Sequence, residues 1–310
     1  MGIQDVPDFL AVGHATRDLL PDGSWRLGGS VAFAALTASR LGLRSAIVTS
    51  GTGELLAELT RMLPDVRVSA VPSVEATTFE NVYANGVRRQ YLRGRAATIS
   101  LDVVPDSWRA APMILLAPLI GEVKPELAAG LSRSKSALLA ATPQGWLRRT
   151  DSIGRVSPAP FKLAEQILPF LQAMILSYED LVPASDLTAG SISSAGMQQA
   201  HASVSDWART VPLLVVTRGA AGALLFQAEH QPRAFPGYPA HEVDPTGAGD
   251  VFAGAFMVQL YRTGNPDDAM DFANRVAACS IEGPGMGSIP TYEEVLARFA
   301  DPIDHKEHFS

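Results

Sequence analysis

The segment Val243-Asp244-Pro245-Thr246-Gly247-Ala248-Gly249-Asp250 sets an acid at each end of a small-residue turn, and the apolar run Val251 to Phe256 follows it. That pattern predicts a helix with Asp250 in its first turn. The first amides of a helix have no internal partner and carry partial positive charge. Gly247, Ala248 and Gly249 leave those amides uncovered, so the turn can cradle an anion. A carboxylate beside such a cradle suits proton abstraction from a hydroxyl during phosphoryl transfer, with the amides as an anion hole.

Other segments supply residues of complementary types. Gly28 and Gly29 precede the small-residue run Ser30 to Leu41, so a hydroxyl can approach the backbone there. Asp18 follows the first apolar run, and a carboxylate accepts two hydroxyl hydrogen bonds at once. Thr217, Gly219 and Gly222 mark a turn between two apolar runs, with Arg218 inside it. Ser177, Glu179 and Asp180 follow another apolar run and can equally cap a helix. Gln144 and Arg148 stand in Thr142-Pro143-Gln144-Gly145-Trp146-Leu147-Arg148 at mid-chain.

The elements that must position these residues alternate along the chain. Phe9 to Gly13 reads as a buried strand, Gly29 to Leu41 as a helix, Ala46 to Thr49 as a strand and Glu54 to Met62 as a helix. Val66 to Ala70, Met113 to Leu116, Ala137 to Ala141, Met174 to Ser177 and Leu213 to Thr217 are further strands. The alternation predicts a parallel sheet with helices on both faces and a ligand site at the strands' C-terminal ends. Thr77 to Thr98 departs from it, being polar and rich in β-formers, with Asn85-Gly86 as a hairpin signal. With a ribbon over His14 to Leu27 it would form a small sheet outside the main one.

The chain has 310 residues, 47% of them hydrophobic, and a net charge of −7. These values suit a water-soluble domain with a large core and favour neither nucleic acid nor an anionic membrane as partner. A polyanionic ligand must then be met by backbone dipoles and a few arginines. The one cysteine, Cys279, lies in an apolar helical run and reads as packing. Met1 to Asp8 lack the layout of a signal peptide, so the expected location is the cytoplasm. The tail Asp301 to Ser310 is expected to fray.

The turn closely resembles the Asp-Thr-Gly-Ala-Gly-Asp signature of the ribokinase-like (PfkB) carbohydrate kinases, with a proline inserted after the first acid. Leu27 to Ala34 resembles that family's N-terminal Gly-Gly signature, although Ser30 and Phe33 stand where ribose-acting members carry Lys and Asn. The resemblance implies a three-layer α/β/α sandwich with a central, mostly parallel sheet and a small β-sheet lid. It implies one kinase domain over residues 1–300, with lid segments near 14–28 and 77–98. It implies ATP-dependent phosphorylation of a sugar or cyclitol hydroxyl, with Asp250 as catalytic base. Asp18, Gly28, Gly29, Phe33, Gln144 and Arg148 would meet the acceptor. Thr217, Gly219, Gly222, Thr246 and Asn274 would meet the nucleotide. Asp180, or Glu179 beside it, would help hold magnesium, and Asp244 would take part in a potassium site. The Gln-Gly-x-x-Arg run at Gln144 and the Thr-Thr-Phe-Glu-Asn run at Thr77 look most like the myo-inositol-kinase-like branch. A nucleoside kinase, with Phe33 packing on a base, is a rival. So is a non-catalytic sugar- or nucleotide-binding regulator. An exposed lid edge offers a route to a homodimer.

Overall fold

A computed structural model of the chain describes residues 5–84, 87–133, 137–181 and 202–300. Its main sheet has nine strands. They are β1 (Phe9–Val12), β4 (Ser45–Gly51), β5 (Arg67–Pro72), β8 (Met113–Leu116), β9 (Leu138–Ala141), β12 (Ala173–Ser177), β13 (Leu213–Thr217), β14 (Ala223–Phe226) and β15 (Arg233–Phe235). Their order is β15-β14-β13-β12-β9-β8-β1-β4-β5. The strands from β13 to β5 run parallel, and β14 and β15 add an antiparallel edge.

Side-chain alternation along β1 shows how the sheet separates two cores. Phe9 and Ala11 face one cluster and Leu10 and Val12 the other, all fully buried. The first cluster is covered by α1 (Ser30–Arg40), α2 (Gly53–Met62), and the later helices α5 (Ala248–Thr263) and α6 (Pro266–Ser280). The second lies under α3 (Pro125–Leu131), α4 (Ala164–Ile167) and the aromatic group Trp146, Phe161 and Trp207. α1 and α5 pack closely because both present small residues. A Cβ on Gly254 would lie 2.9 Å from the Ala34 carbonyl oxygen.

The remaining strands stand apart from this sheet. β2 (Thr16–Leu19), β3 (Trp25–Gly28), β6 (Thr78–Ala84) and β7 (Val87–Gly94) form a four-stranded sheet in the order β3-β2-β6-β7. The ribbon and hairpin strands expected from the sequence thus join in one sheet; Asn85 and Gly86 lie outside the described residues. The tail 301–310 also lies outside them. A hairpin not foreseen from the sequence, β10 (Arg148–Thr150) paired with β11 (Val156–Pro158), leans on β7 through the Leu92 N–H to Gly154 carbonyl bond of 2.8 Å.

Buried polar groups fix the join between β1 and the small sheet. His14 is fully buried, with its Nε2 2.8 Å from the Ala97 carbonyl and its Nδ1 2.7 Å from the Thr77 hydroxyl. The Glu122 carboxylate is buried too and accepts from the amides of His14, Leu119 and Ile120. A buried carboxylate so bonded holds three loop amides in place. No helix among the described residues is long and apolar enough to cross a membrane.

Candidate active site

A cavity of about 1470 Å³ opens between the small sheet and the C-terminal ends of the main strands. Thr142, Ser177 and Thr217 mark those ends, at β9, β12 and β13. Strand ends collect ligands because the loops there leave a crevice lined by backbone and short polar groups.

Its floor is the turn before α5. Gly247 is the N-cap of α5, with φ 80° and ψ 1°, a left-handed conformation that glycine adopts without strain. A second constraint acts at the same atom. A Cβ on Gly247 would lie 2.3 Å from the Phe33 ring, so the aromatic packs flat beneath the turn. Phe33 lines the cavity but is only 4% exposed, so it supports the turn and offers no open face to a planar base. The Ala248 N–H donates to the Pro245 carbonyl at 3.2 Å. That corrects the expected amide set: among the described residues, the Gly247 and Gly249 amides are the two left to face an oxyanion.

Asp250 follows in the first turn of α5 and lines the cavity. It touches solvent through the cavity while protein surrounds the carboxyl elsewhere. That burial pushes its pKa up to about 6, the Ser30 hydroxyl bonded to it opposes the shift, Asp180 adds to it and Arg148 opposes it. Ser30, read from sequence as a missing lysine, is therefore a partner of the key carboxylate. A carboxylate with such a pKa is ionised at neutral pH and still basic enough to take a proton.

The acceptor-side candidates converge. Asp18 lines the cavity and accepts from the Thr16 hydroxyl at 3.1 Å. Gly29 lines it as well, with φ 99°, as the N-cap of α1. Gly28 does not: it is buried, and a Cβ there would meet Asp18 and Thr16, so its smallness serves packing. Arg148 lines the cavity, donates to the Gln90 side-chain oxygen Oε1 at 3.2 Å and lies 3.9 Å from Asp180. Gln90 in turn donates to Asn81, its cross-strand partner, and both line the cavity from the small sheet. Sequence reasoning missed Gln90, whose role depends on which strand face meets the cavity.

Several donor-side candidates have structural duties. Asn274 is buried, and its amide donates to the carbonyls of Phe235 and Pro236, at 3.3 and 3.2 Å. Gly222 has φ 80°, and a Cβ there would meet the Phe235 carbonyl oxygen, so strand packing also requires glycine. Asp180 caps its own turn by accepting from the Ser177 N–H and also accepts from Gln144 at 3.4 Å. That leaves Glu179, exposed at the cavity, as the adjacent carboxylate. Thr217 and Gly219 line the cavity beyond it, and Ala277, Ala278 and Ile281 add a small apolar wall.

Asp244 lies at the cavity mouth. It accepts from the Thr246 N–H at 3.0 Å, the Gly285 N–H at 3.2 Å and the Arg26 guanidinium at 3.1 Å. Burial pushes its pKa up, but the bonds from Thr246, Arg26 and Gly285 outweigh that and hold it below the usual carboxylate value. Nearby, the Ser288 hydroxyl oxygen lies within 3.1 Å of the carbonyls of Ser280, Gly283 and Gly285. One hydroxyl proton cannot serve three carbonyls, so this loop is rich in unshared acceptors. No cluster of three or more metal-ligating side chains occurs among the described residues.

The sequence pattern of the pfkB family carbohydrate kinases matches residues 159–292, which include the turn and α5. The ribokinase of Bacillus subtilis (strain 168) is 39% identical over 83 residues, spanning 26% of this chain and 28% of that protein. The cytidine kinase of Thermococcus kodakarensis is 25% identical over 277 residues, 84% of this chain and 90% of that one. Among solved structures, a pyrophosphate-dependent kinase in the ribokinase family superposes with a TM-score of 0.75 at 21% identity, covering 93% of this chain and 99% of the other. The ribokinase of Thermotoga maritima gives 0.67 at 21% identity, covering 94% and 99%. The chain has the ribokinase fold, and its residues 159–292 are similar to the pfkB family carbohydrate kinases.

Proposed function

We propose that the protein transfers a phosphoryl group from a nucleoside triphosphate to a hydroxyl of a compact polyol, a sugar or a myo-inositol-like cyclitol. The observation that carries this reading is Asp250, a carboxylate with a pKa of about 6 beside two helix-terminal amides on the floor of a cavity with polar walls. Asp250 orients the acceptor hydroxyl and takes its proton, and the Gly247 and Gly249 amides stabilise charge on the transferring phosphoryl oxygens. Asp18, Gln90, Asn81 and Arg148 hold the other hydroxyls, with the small sheet as a lid. Thr217 and Gly219 border the donor, and the wall of Ala277, Ala278 and Ile281 suits a flat base.

Magnesium fits this reading: it keeps most of its waters and needs few carboxylates, and it would neutralise the donor phosphates. Glu179 would hold it through water, since Asp180 is tied to its cap. A potassium ion would draw on the carbonyls of Ser280, Gly283 and Gly285, since the Asp244 carboxylate is already bonded on both oxygens.

Inorganic pyrophosphate is a second reading for the donor. It is favoured by the neighbour described as pyrophosphate-dependent and by a second solved complex of such a kinase with a pyrophosphate analogue and myo-inositol. The position of Phe33 beneath Gly247 speaks against a nucleoside acceptor, although the cytidine kinase spans most of the chain. The test is phosphoryl transfer from MgATP and from magnesium pyrophosphate to myo-inositol, other cyclitols, ribose, fructose and cytidine, with Asp250→Asn as the blank. Turnover on a polyol that vanishes in the variant supports the reading. Donor binding with no transfer to any acceptor would favour a regulator instead.

A further inference from the structure

The described cavity lining holds six carboxylates, Asp18, Glu179, Asp180, Glu242, Asp244 and Asp250, against two cations, Arg26 and Arg148. A polyphosphate entering such a cavity meets net repulsion unless a cation is placed beside it. Arg148 is at the acceptor end, bonded to Gln90 and close to Asp180. Arg26 instead reaches the turn before α5. It stands on β3, directly across from Asp18 on β2, and reaches out of the small sheet to the turn. Its Nη1 donates to Asp244 at 3.1 Å and its Nη2 to the Thr246 hydroxyl at 3.0 Å. Thr246 is next to Gly247, whose amide belongs to the oxyanion set. The Arg26 side chain is 43% exposed, so part of its five-donor fork remains turned to solvent.

We propose that Arg26 binds the terminal phosphates of the phosphoryl donor, exchanging its bond to Asp244 for phosphate oxygens when the donor enters the turn. This rests on the phosphotransfer reading and deepens it. The Arg26 side of the pair is well exposed, and Asp244 keeps its bonds from the Thr246 and Gly285 amides when Arg26 leaves, so the exchange costs little. A phosphate offers more charge than a carboxylate and accepts the same fork in two parallel bonds. The exchange would place a cation from the small sheet over the donor, while Asp18 on the neighbouring strand meets the acceptor. A nucleoside triphosphate and inorganic pyrophosphate share the terminal diphosphate that Arg26 would recognise.

Calorimetric titration without acceptor tests this, with MgATP and magnesium pyrophosphate as separate probes. The proteins are wild type, Arg26→Lys, Arg26→Met, Asp244→Asn and the Arg26→Met/Asp244→Asn double variant. For the donor the wild type binds, Arg26→Met should weaken affinity by about 10-fold or more, and Arg26→Lys by less because the charge remains. Asp244→Asn removes the competitor and should bind the donor at least as tightly as wild type. If Asp244→Asn weakens binding as much as Arg26→Met, and the double variant no further, Arg26 is only a latch for the turn and the inference falls. Undiminished donor binding in Arg26→Met would overturn it as well. Should the wild type bind neither probe, the phosphotransfer reading fails first.

Discussion

The turn before α5 and the small sheet both line the cavity, and they offer different means of recognition. The turn works with backbone: a left-handed glycine, two helix-terminal amides and one carboxylate, all held on an aromatic ring. The small sheet works with side chains: Asp18, Asn81 and Gln90 project from β2, β6 and β7, and Arg148 joins them from β10. Backbone recognition suits a phosphoryl group, whose oxygens are the same whatever donor carries it. Side-chain recognition suits an acceptor, whose hydroxyl pattern differs from one polyol to the next. The family pattern matches residues 159–292, which contain the turn and none of the small sheet. The stretch similar to the family thus contains the turn, the part of the cavity whose backbone suits a phosphoryl group.

The sharpest way to break this division is at Asp250. Replacing it with Asn keeps the shape and removes the base. We expect turnover to fall by about 10²–10⁴-fold, the range general-base catalysis contributes. Donor affinity measured by calorimetry should change far less. If turnover survives, the turn binds phosphate without doing chemistry.

Gly247→Ala tests the backbone side next. The new methyl must accept φ 80° and enter the Phe33 ring, 2.3 Å away. The left-handed conformation alone costs about 1–2 kcal/mol for an L-residue, and overpacking adds about 1–3. A drop in Tm of several degrees should appear together with loss of turnover. Adding Phe33→Leu should recover part of the stability, because it relieves the steric half of the penalty and leaves the backbone half. Strictly additive losses would show that the ring does not support the turn.

The two regions also differed in how far they could be read from sequence. The turn was legible because its chemistry lies in consecutive residues, Asp244 to Asp250. The main strands were legible for a similar reason: each is a short apolar run, and β8, for instance, spans the expected Met113–Leu116. The small sheet was legible as strands, yet its working residues were not. Gln90 and Arg148 touch across 58 positions and Arg26 and Asp244 across 218, and no local pattern signals such meetings. Phe33 was ambiguous for the opposite reason: an aromatic can meet a base or fill the core, and only the close approach of α1 to α5 sets its ring against Gly247. Ala248 shows the limit of motif reading at the finest scale, since only the fold reveals that its amide bonds the Pro245 carbonyl.

On the side-chain wall, Gln90→Leu removes the acceptor of the Arg148 bond. One such bond to a charged group is worth about 1.5–3 kcal/mol where buried and less in an open cavity. We expect the acceptor KM to rise roughly 5- to 10-fold, with donor affinity unchanged. A shift in donor affinity instead would assign the small sheet to the donor and reverse the comparison.

The smallest expected effect links the base to the fold. Asp250 titrates near 6 in the folded protein against 3.8 for an ordinary aspartate. Between those values the folded state holds more protons than the unfolded one, so stability falls as pH rises through that window. Well below pH 3.8 both states are protonated and nothing is lost; well above about 6 the whole penalty is present. Asn in place of Asp250 never ionises. The gap between the variant and wild type should therefore be smallest at the acid end and widen to about 1 kcal/mol in the variant's favour at pH 7.5, once the carboxyl's contact with solvent is allowed for. Thermal unfolding of both proteins at several pH values from 4 to 8 measures the gap, while the kcat/KM of wild type should decline below about pH 6 as the base is protonated. A gap that stays constant with pH would remove burial as the cause of the raised pKa. A gap that opens alongside the activity would show that the enclosure that makes Asp250 a useful base also destabilises the fold around it.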